Sequence, residues 1–271
     1  MSRHWPEVAH RWKQIGPPLR PVAEDVGAFE RAVLSFALEK GPPRALILGV
    51  TPELYSLAWP VGSDVRAVDH TPAMIDVVWP GPREAVSCAE WTALPFSDAS
   101  RDVALCDGGL HLLSYPAGQR LLASELERVL SPGGLFAIRL FLPPVKRESK
   151  EQVLADFMAG RVANLNELKL RLGPALTESA ESGVELDRVY RAVHALAPDL
   201  EQLAERLGWD LEHLRAIETY RGSRVRYHFV TLDEVTGIFC AGGAGFELVS
   251  RHEPGYALGE RCPIIVLRRK P

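Results

Sequence analysis

The stretch from Ala45 to Asp69 constrains this chain more than any other. Ala45-Leu46-Ile47-Leu48 is an unbroken apolar run that suits a strand buried on both faces, and Gly49 ends it. Thr51 then offers an N-cap and Pro52 a favoured first helical residue. A helix is therefore expected to start at Thr51 and to carry Leu54, Leu57 and Ala58 inward. Val65 to Val68 is a second apolar run, and it stops at Asp69, 20 positions after Gly49. Strand, tight turn, helix, strand and acid make the front half of a nucleotide-binding βαβ unit, at the distance where an acid meets a ribose hydroxyl. Thr51 and Glu53 stand where the second and third glycines of the usual triplet are expected, so the stretch alone is also compatible with a βαβ unit that holds no ligand.

The same device recurs downstream. Asp69-His70-Thr71-Pro72 caps and opens a second helix carrying Met74, Ile75 and Val78. Two Thr-Pro helix starts place two helix N-termini on one rim of a parallel sheet, where ligands of open α/β sheets bind. Val86 to Cys88 reads as a third strand and Arg101 to Asp107 as a fourth, ending on an acid and Gly108-Gly109. Pro116 to Leu130 reads as a helix with Leu121, Leu122, Leu126 and Val129 inward. Ser131-Pro132-Gly133-Gly134 reads as a turn and Leu135 to Phe141 as a fifth strand. Arg139 is an unexpected charge in that strand; buried, it needs an acid partner or a place in a substrate pocket.

The alternation stops at Pro143-Pro144, and residues 145–217 are nearly all helical in pattern. Leu154, Phe157, Met158, Val162, Leu165, Leu168 and Leu172 form one apolar stripe; Leu186, Val189, Tyr190 and Val193 form another. Asp199 caps a further helix, which Gly208 ends. From Thr231, which forms a capping box with Glu234, the α/β pattern returns. It closes on two strands, Phe246 to Ser250 and Pro263 to Arg268, joined by a loop too short for a crossover and therefore antiparallel.

The expected fold is α/β: a doubly wound, mostly parallel seven-stranded sheet with an antiparallel C-terminal hairpin and a helical insertion between strands 5 and 6. Its parts are an N-terminal arm and helix (1–43), a core (44–144 and 231–271) and the insertion (145–230), lying over the ligand rim as a lid or substrate element. In the arm, Trp5 and Trp12 precede the stiff segment Gly16-Pro17-Pro18-Leu19-Arg20-Pro21. These tryptophans pack on the domain or close over a ligand, with Arg20 as the polar contact in the second case.

The 271 residues carry a formal charge of −4, which gives no global attraction to nucleic acid. Cys88, Cys106, Cys240 and Cys262 are scattered without a C-x-x-C pair, as in a reduced, cytoplasmic protein. The N-terminus reads as no signal peptide, and no run approaches membrane-spanning length. No metal site is expected.

Taken in order, these motifs resemble those of class I S-adenosylmethionine-dependent methyltransferases, Rossmann-like enzymes, in particular the small-molecule type with a Leu-Pro-Phe motif. Leu46 to Glu53 matches the family's first motif, under the cofactor's methionine part, and Val68 to Ile75 its second. Glu90-Trp91-Thr92-Ala93-Leu94-Pro95-Phe96 is similar to the third, Cys106-Asp107-Gly108-Gly109 to the fourth, and Glu125 to Gly134 is the most specific match. The resemblance implies S-adenosyl-L-methionine held by Gly49, Thr51, Glu53, Asp69, His70, Met74, Glu90, Trp91, Asp107 and Gly108. Asp69 would take both ribose hydroxyls and Glu90 the adenine amino group. The departures are Ile47, where an acid is common, and Thr51 and Glu53 in place of glycines, which narrow the space. Glu53 could bind the cofactor's ammonium group instead.

Methyl transfer from a sulfonium needs alignment and desolvation of the nucleophile, and a base where the acceptor is a hydroxyl or protonated amine. His111 and His228 are the candidate bases, each with a purely structural alternative. Arg221, Arg224 and Arg226 could hold an acidic group or form a solvated edge. The expected activity is methyl transfer to an oxygen or nitrogen of a small-molecule acceptor, with a homodimer left open. The alternative is a non-catalytic cofactor-binding or regulatory protein of the same fold. Nucleic-acid or membrane partners are not expected, and a dehydrogenase is disfavoured by the absent glycine triplet.

Overall fold

A computed structural model describes residues 4–197 and 199–271; residues 1–3, which open the expected arm, and residue 198 lie outside the described residues. Seven strands form one sheet: β1 (Arg44–Leu48), β2 (Asp64–Asp69), β3 (Val86–Cys88), β4 (Arg101–Asp107), β5 (Leu130–Arg139), β6 (Phe246–His252) and β7 (Ile264–Arg269). Their spatial order is β3-β2-β1-β4-β5-β7-β6. The first five run parallel, and β7 pairs antiparallel with both β5 and β6.

The apolar runs predict this burial directly. Successive strand side chains point to opposite faces. Leu46, Leu48, Ala104, Cys106, Phe136 and Ile138 join one core with α5 (Ala117–Val129) and α11 (Leu232–Phe239). Ile47, Ala67, Val103, Leu105 and Ala137 join the other with α1 (His4–His10), α2 (Ala23–Lys40) and α4 (Pro72–Val78). Between β5 and α11 lie α6 (Lys150–Met158), α7 (Leu165–Leu176), α8 (Leu186–Leu196), α9 (Leu200–Leu207) and α10 (Leu211–Arg215). They build a third core around Phe157, Leu168, Val193 and Leu214. A two-residue antiparallel ladder joins Val184–Glu185 to Arg226–Tyr227.

Three local readings are corrected. The helix after β1, α3, covers only Pro52–Tyr55, so Leu54 and Leu57 are buried but Ala58 is exposed. Leu121 is 56% exposed, because the inward stripe of α5 runs through Leu122, Leu126 and Val129. Ser131 to Gly134 is an irregularity inside β5 rather than a separate turn: pairing slips from Arg101↔Leu130 to Val103↔Leu135, with Gly133 at φ +79° absorbing the extra chain.

Arg139 resolves into a buried ion cluster. Its Nε donates to Asp107 Oδ1 at 2.5 Å and its Nη1 to the Pro18 carbonyl at 2.8 Å; Asp25 Oδ2 lies 3.5 Å away and the Tyr256 hydroxyl 3.3 Å. Arg139 and Asp25 are fully buried. The cluster thus joins β4, β5, α2, the arm and the β6–β7 loop. A second buried arginine, Arg261, donates to the Leu142 and Leu170 carbonyls and so ties the insertion to the core.

Removing one partner of such a cluster strands a charge inside. Arg139→Met is expected to cost about 3–5 kcal/mol in urea unfolding, whereas Leu121→Gln on the exposed face stays within about 0.5 kcal/mol.

Candidate active site

β1, β2 and β4 end on the same rim, and a cavity of about 360 Å³ opens there. Three parts of the chain enclose it: the sheet rim, the arm and the insertion. Gly49, Thr51, Asp69, His70, Met74, Glu90, Trp91, Asp107 and Gly108 all lie in its wall.

Each is placed by its local sequence. Gly49 has φ +93° and donates to the Val68 carbonyl at 2.8 Å, a conformation that favours glycine. Asp69, at the end of β2, accepts from the Thr71 N–H at 2.8 Å; burial, opposed by that hydrogen bond, raises its pKa. Trp91 Nε1 donates to the Val68 carbonyl at 2.9 Å, and its ring lies where a Cβ on Gly109 would come within 2.7 Å. Gly108, at φ +63°, leaves room for Phe141, which an added Cβ would meet at 2.5 Å. Arg139 neutralises and orients Asp107 from behind.

The opposite wall is aromatic. Trp5 and Trp12 come from the arm, His111 and Phe141 from the ends of the core, and Tyr220, Tyr227 and Phe229 from the insertion and its return. His111 stacks on Phe229 (5.7 Å, 11°) and meets Tyr227 edge-on at 4.6 Å. Its Nδ1 is buried without a partner. Burial pulls its pKa down to about 3, so the ring is neutral at pH 7.

Two expected site residues are not in the cavity wall. Glu53 is paired with Arg20, whose guanidinium also lies over Trp12, 5.3 Å from the ring centre. The opposite charges clasp the arm to α3 through Glu53 Oε1, while Glu53 Oε2 is buried with no hydrogen-bond partner among the described residues. His228 points elsewhere: its Nδ1 donates to the Ala180 carbonyl at 2.8 Å, while its backbone N–H donates to the His111 carbonyl at 2.7 Å. It fastens the insertion rather than lining the site. In the basic cluster, Arg226 pairs with Glu185 and Arg221 with Glu218, as a solvated edge requires.

Sequence reasoning passed over Lys169, Tyr220 and Tyr227. Lys169 had a signal: it sits on the inward stripe of α7 with Leu165, Leu168 and Leu172, a register where a charge is out of place. Among the described residues no group of three His, Cys, Asp or Glu side chains is placed to hold a metal ion, and no helix is long and apolar enough to cross a membrane.

Residues 46–138 match the profile of a family described as "Methyltransferase domain". That part of the chain is similar to a methyltransferase domain. The sheet topology is that of an α/β methyltransferase fold. Solved structures share the fold over nearly the whole chain. The CcbJ methyltransferase of Streptomyces caelestis is 17% identical, with TM-score 0.54 over 100% of this chain and 99% of its own. The N-methyltransferase NodS of Bradyrhizobium japonicum, bound to S-adenosylhomocysteine, is 11% identical, with TM-score 0.50 over 98% and 99%. A Rhodobacter sphaeroides protein provisionally named as a zinc-dependent alcohol dehydrogenase is 16% identical, with TM-score 0.59 over 99% and 98%. No protein of curated function matches the sequence. The family match stops before the insertion and does not include the arm.

The depressed His111 predicts an acid-side stability slope. Unfolded, the ring titrates near 6.5; folded, near 3. As pH falls below about 6.5 the unfolded chain takes up a proton that the fold refuses, so stability falls. The loss approaches about 1.4 kcal/mol per pH unit. In urea unfolding from pH 6 to pH 4, His111→Phe should make that slope shallower than in wild type, leaving the part carried by His4, whose pKa burial lowers to about 4.

Proposed function

We propose that this methyltransferase moves the methyl group of S-adenosyl-L-methionine to an oxygen or nitrogen of a small, largely apolar acceptor held between the arm and the insertion. The observation that carries this reading is the two-sided cavity. Acids at strand ends and close-approach glycines form one wall, and aromatic rings form the other. Its size suits a small-molecule site. Residues 1–43 serve as arm and cover, 44–144 with 231–271 as cofactor core, and 145–230 as lid and specificity element.

The residues present fit the cofactor. Asp69 accepts the ribose hydroxyls, Glu90 the adenine amino group, and Trp91 offers a ring face beside Gly49 and Gly109. Thr51 narrows the methionine end without closing the cavity, whose wall it joins. Bound there, the cofactor supplies a methyl group already activated by its sulfonium charge. The protein's own work is then alignment and desolvation. Asp107, with its charge held in place by Arg139, fixes the methionine side. His111, neutral and packed among rings, shapes the acceptor side and excludes water. The four free cysteines are consistent with a reducing, cytoplasmic setting.

Calorimetric titration with S-adenosylmethionine and S-adenosylhomocysteine tests the assignment. Asp69→Ala is expected to weaken binding about 100-fold, from two lost charge-assisted hydrogen bonds. Glu53→Gln, outside the cavity, should change it less than about threefold. Equal binding by wild type and Asp69→Ala would refute the assignment.

A further inference from the structure

Charge is segregated across the cavity. Asp69, Glu90 and Asp107 line the sheet rim, and Lys169 enters from the insertion. Lys169 is 9% exposed, and among the described residues no carboxylate lies within salt-bridge distance of it and no hydrogen-bond partner is present. The other charged bases near the site are paired: Arg11 with Glu212 at 3.8 Å and Arg139 with Asp107 and Asp25. Lys169 Nζ lies instead 4.6 Å from the centre of the Tyr220 ring. Burial pushes its pKa down to about 7. A lysine usually extends its ammonium into water; here it is held among rings at a desolvation cost that no carboxylate among the described residues offsets.

We propose that Lys169 binds an anionic oxygen of the methyl acceptor, so that the acceptor is an aromatic-sized molecule bearing a carboxylate or an acidic hydroxyl. This rests on the functional reading above and names its substrate class. A neutral acceptor leaves Lys169 unpaired. An anion forms an ion pair inside walls that exclude water, where charge-assisted bonds are strong. The Tyr220 face supports the ammonium from the other side. If the anion is a carboxylate, Nζ meets it already protonated. If it starts as a hydroxyl, its proton passes to uncharged Nζ, giving an ammonium and an oxyanion with no other reactant.

The test uses full-length protein loaded with S-adenosylhomocysteine, and three probes: benzoate, 4-nitrophenol, whose absorbance reports its ionisation, and neutral nitrobenzene. Wild type should bind benzoate or 4-nitrophenol at least about tenfold more tightly than nitrobenzene. Any 4-nitrophenol bound about one pH unit below its own pKa should be phenolate. Preference for one probe over the other identifies the source of the anion. Lys169→Met keeps the stem and should lose the anion preference, and Lys169→Arg should keep part of it. Thermal unfolding checks that both fold, and both should bind S-adenosylhomocysteine as wild type does. Nitrobenzene binding as well as the anions, or an anion preference surviving in Lys169→Met, overturns the proposal. Failure to bind S-adenosylhomocysteine at all counts instead against the cofactor site.

Discussion

The ion cluster centred on Arg139 is the interaction on which the rest depends. One fully buried guanidinium reaches Asp107 at the end of β4, Asp25 on α2, the Pro18 carbonyl in the arm and the Tyr256 hydroxyl in the β6–β7 loop. Such a group is tolerated inside only where its charge is paired. Pairing it through Nε and Nη1 brings five separate segments to one point beneath the cavity floor. The same contact sets the carboxylate of Asp107, fixes where the arm leaves α2, and places Phe141 against Gly108, with Arg139 lying 5.2 Å from the Phe141 ring centre.

From that floor the site divides into halves of different origin. The rim half is built from strand ends, whose positions the sheet register determines. The aromatic half is built from the arm and the insertion, which reach it through side chains far apart in sequence, such as His4 with Thr219 and Tyr227. Backbone anchors hold the two halves together. Arg261 bridges Leu142 and Leu170, and His228 bridges His111 and Ala180.

The sheet was legible because its signals are local. Apolar runs ending on Gly49, Asp69 and Asp107 mark strands and their rim, and the Thr-Pro pairs mark the helices that follow. The lengths of those helices were less legible: α3 stops after one turn, at Tyr55. Most of the rim side of the cavity followed from those same strand ends. The pairing of Glu53 was not legible because it depends on Arg20, 33 positions earlier, which no spacing rule connects. The position of His228 outside the cavity wall was not legible, because a histidine beside an apolar strand end gives no sign of which way its ring turns. The acceptor wall was illegible as a whole, since helical stripes predict burial but not which buried residue meets a cavity. Lys169 is the exception, as a charge in the apolar register of α7.

The central claim is that one cavity places the cofactor against the sheet rim and the acceptor against the insertion. A crystal structure of the protein with S-adenosylhomocysteine tests it most directly. The account predicts the ribose on Asp69, the adenine between Glu90 and Trp91, the amino-acid end beside Gly49 and Asp107, and the sulfur facing the aromatic wall that contains His111 and Tyr227. A ligand seated with its ribose away from Asp69, or its sulfur turned from that wall, would contradict it.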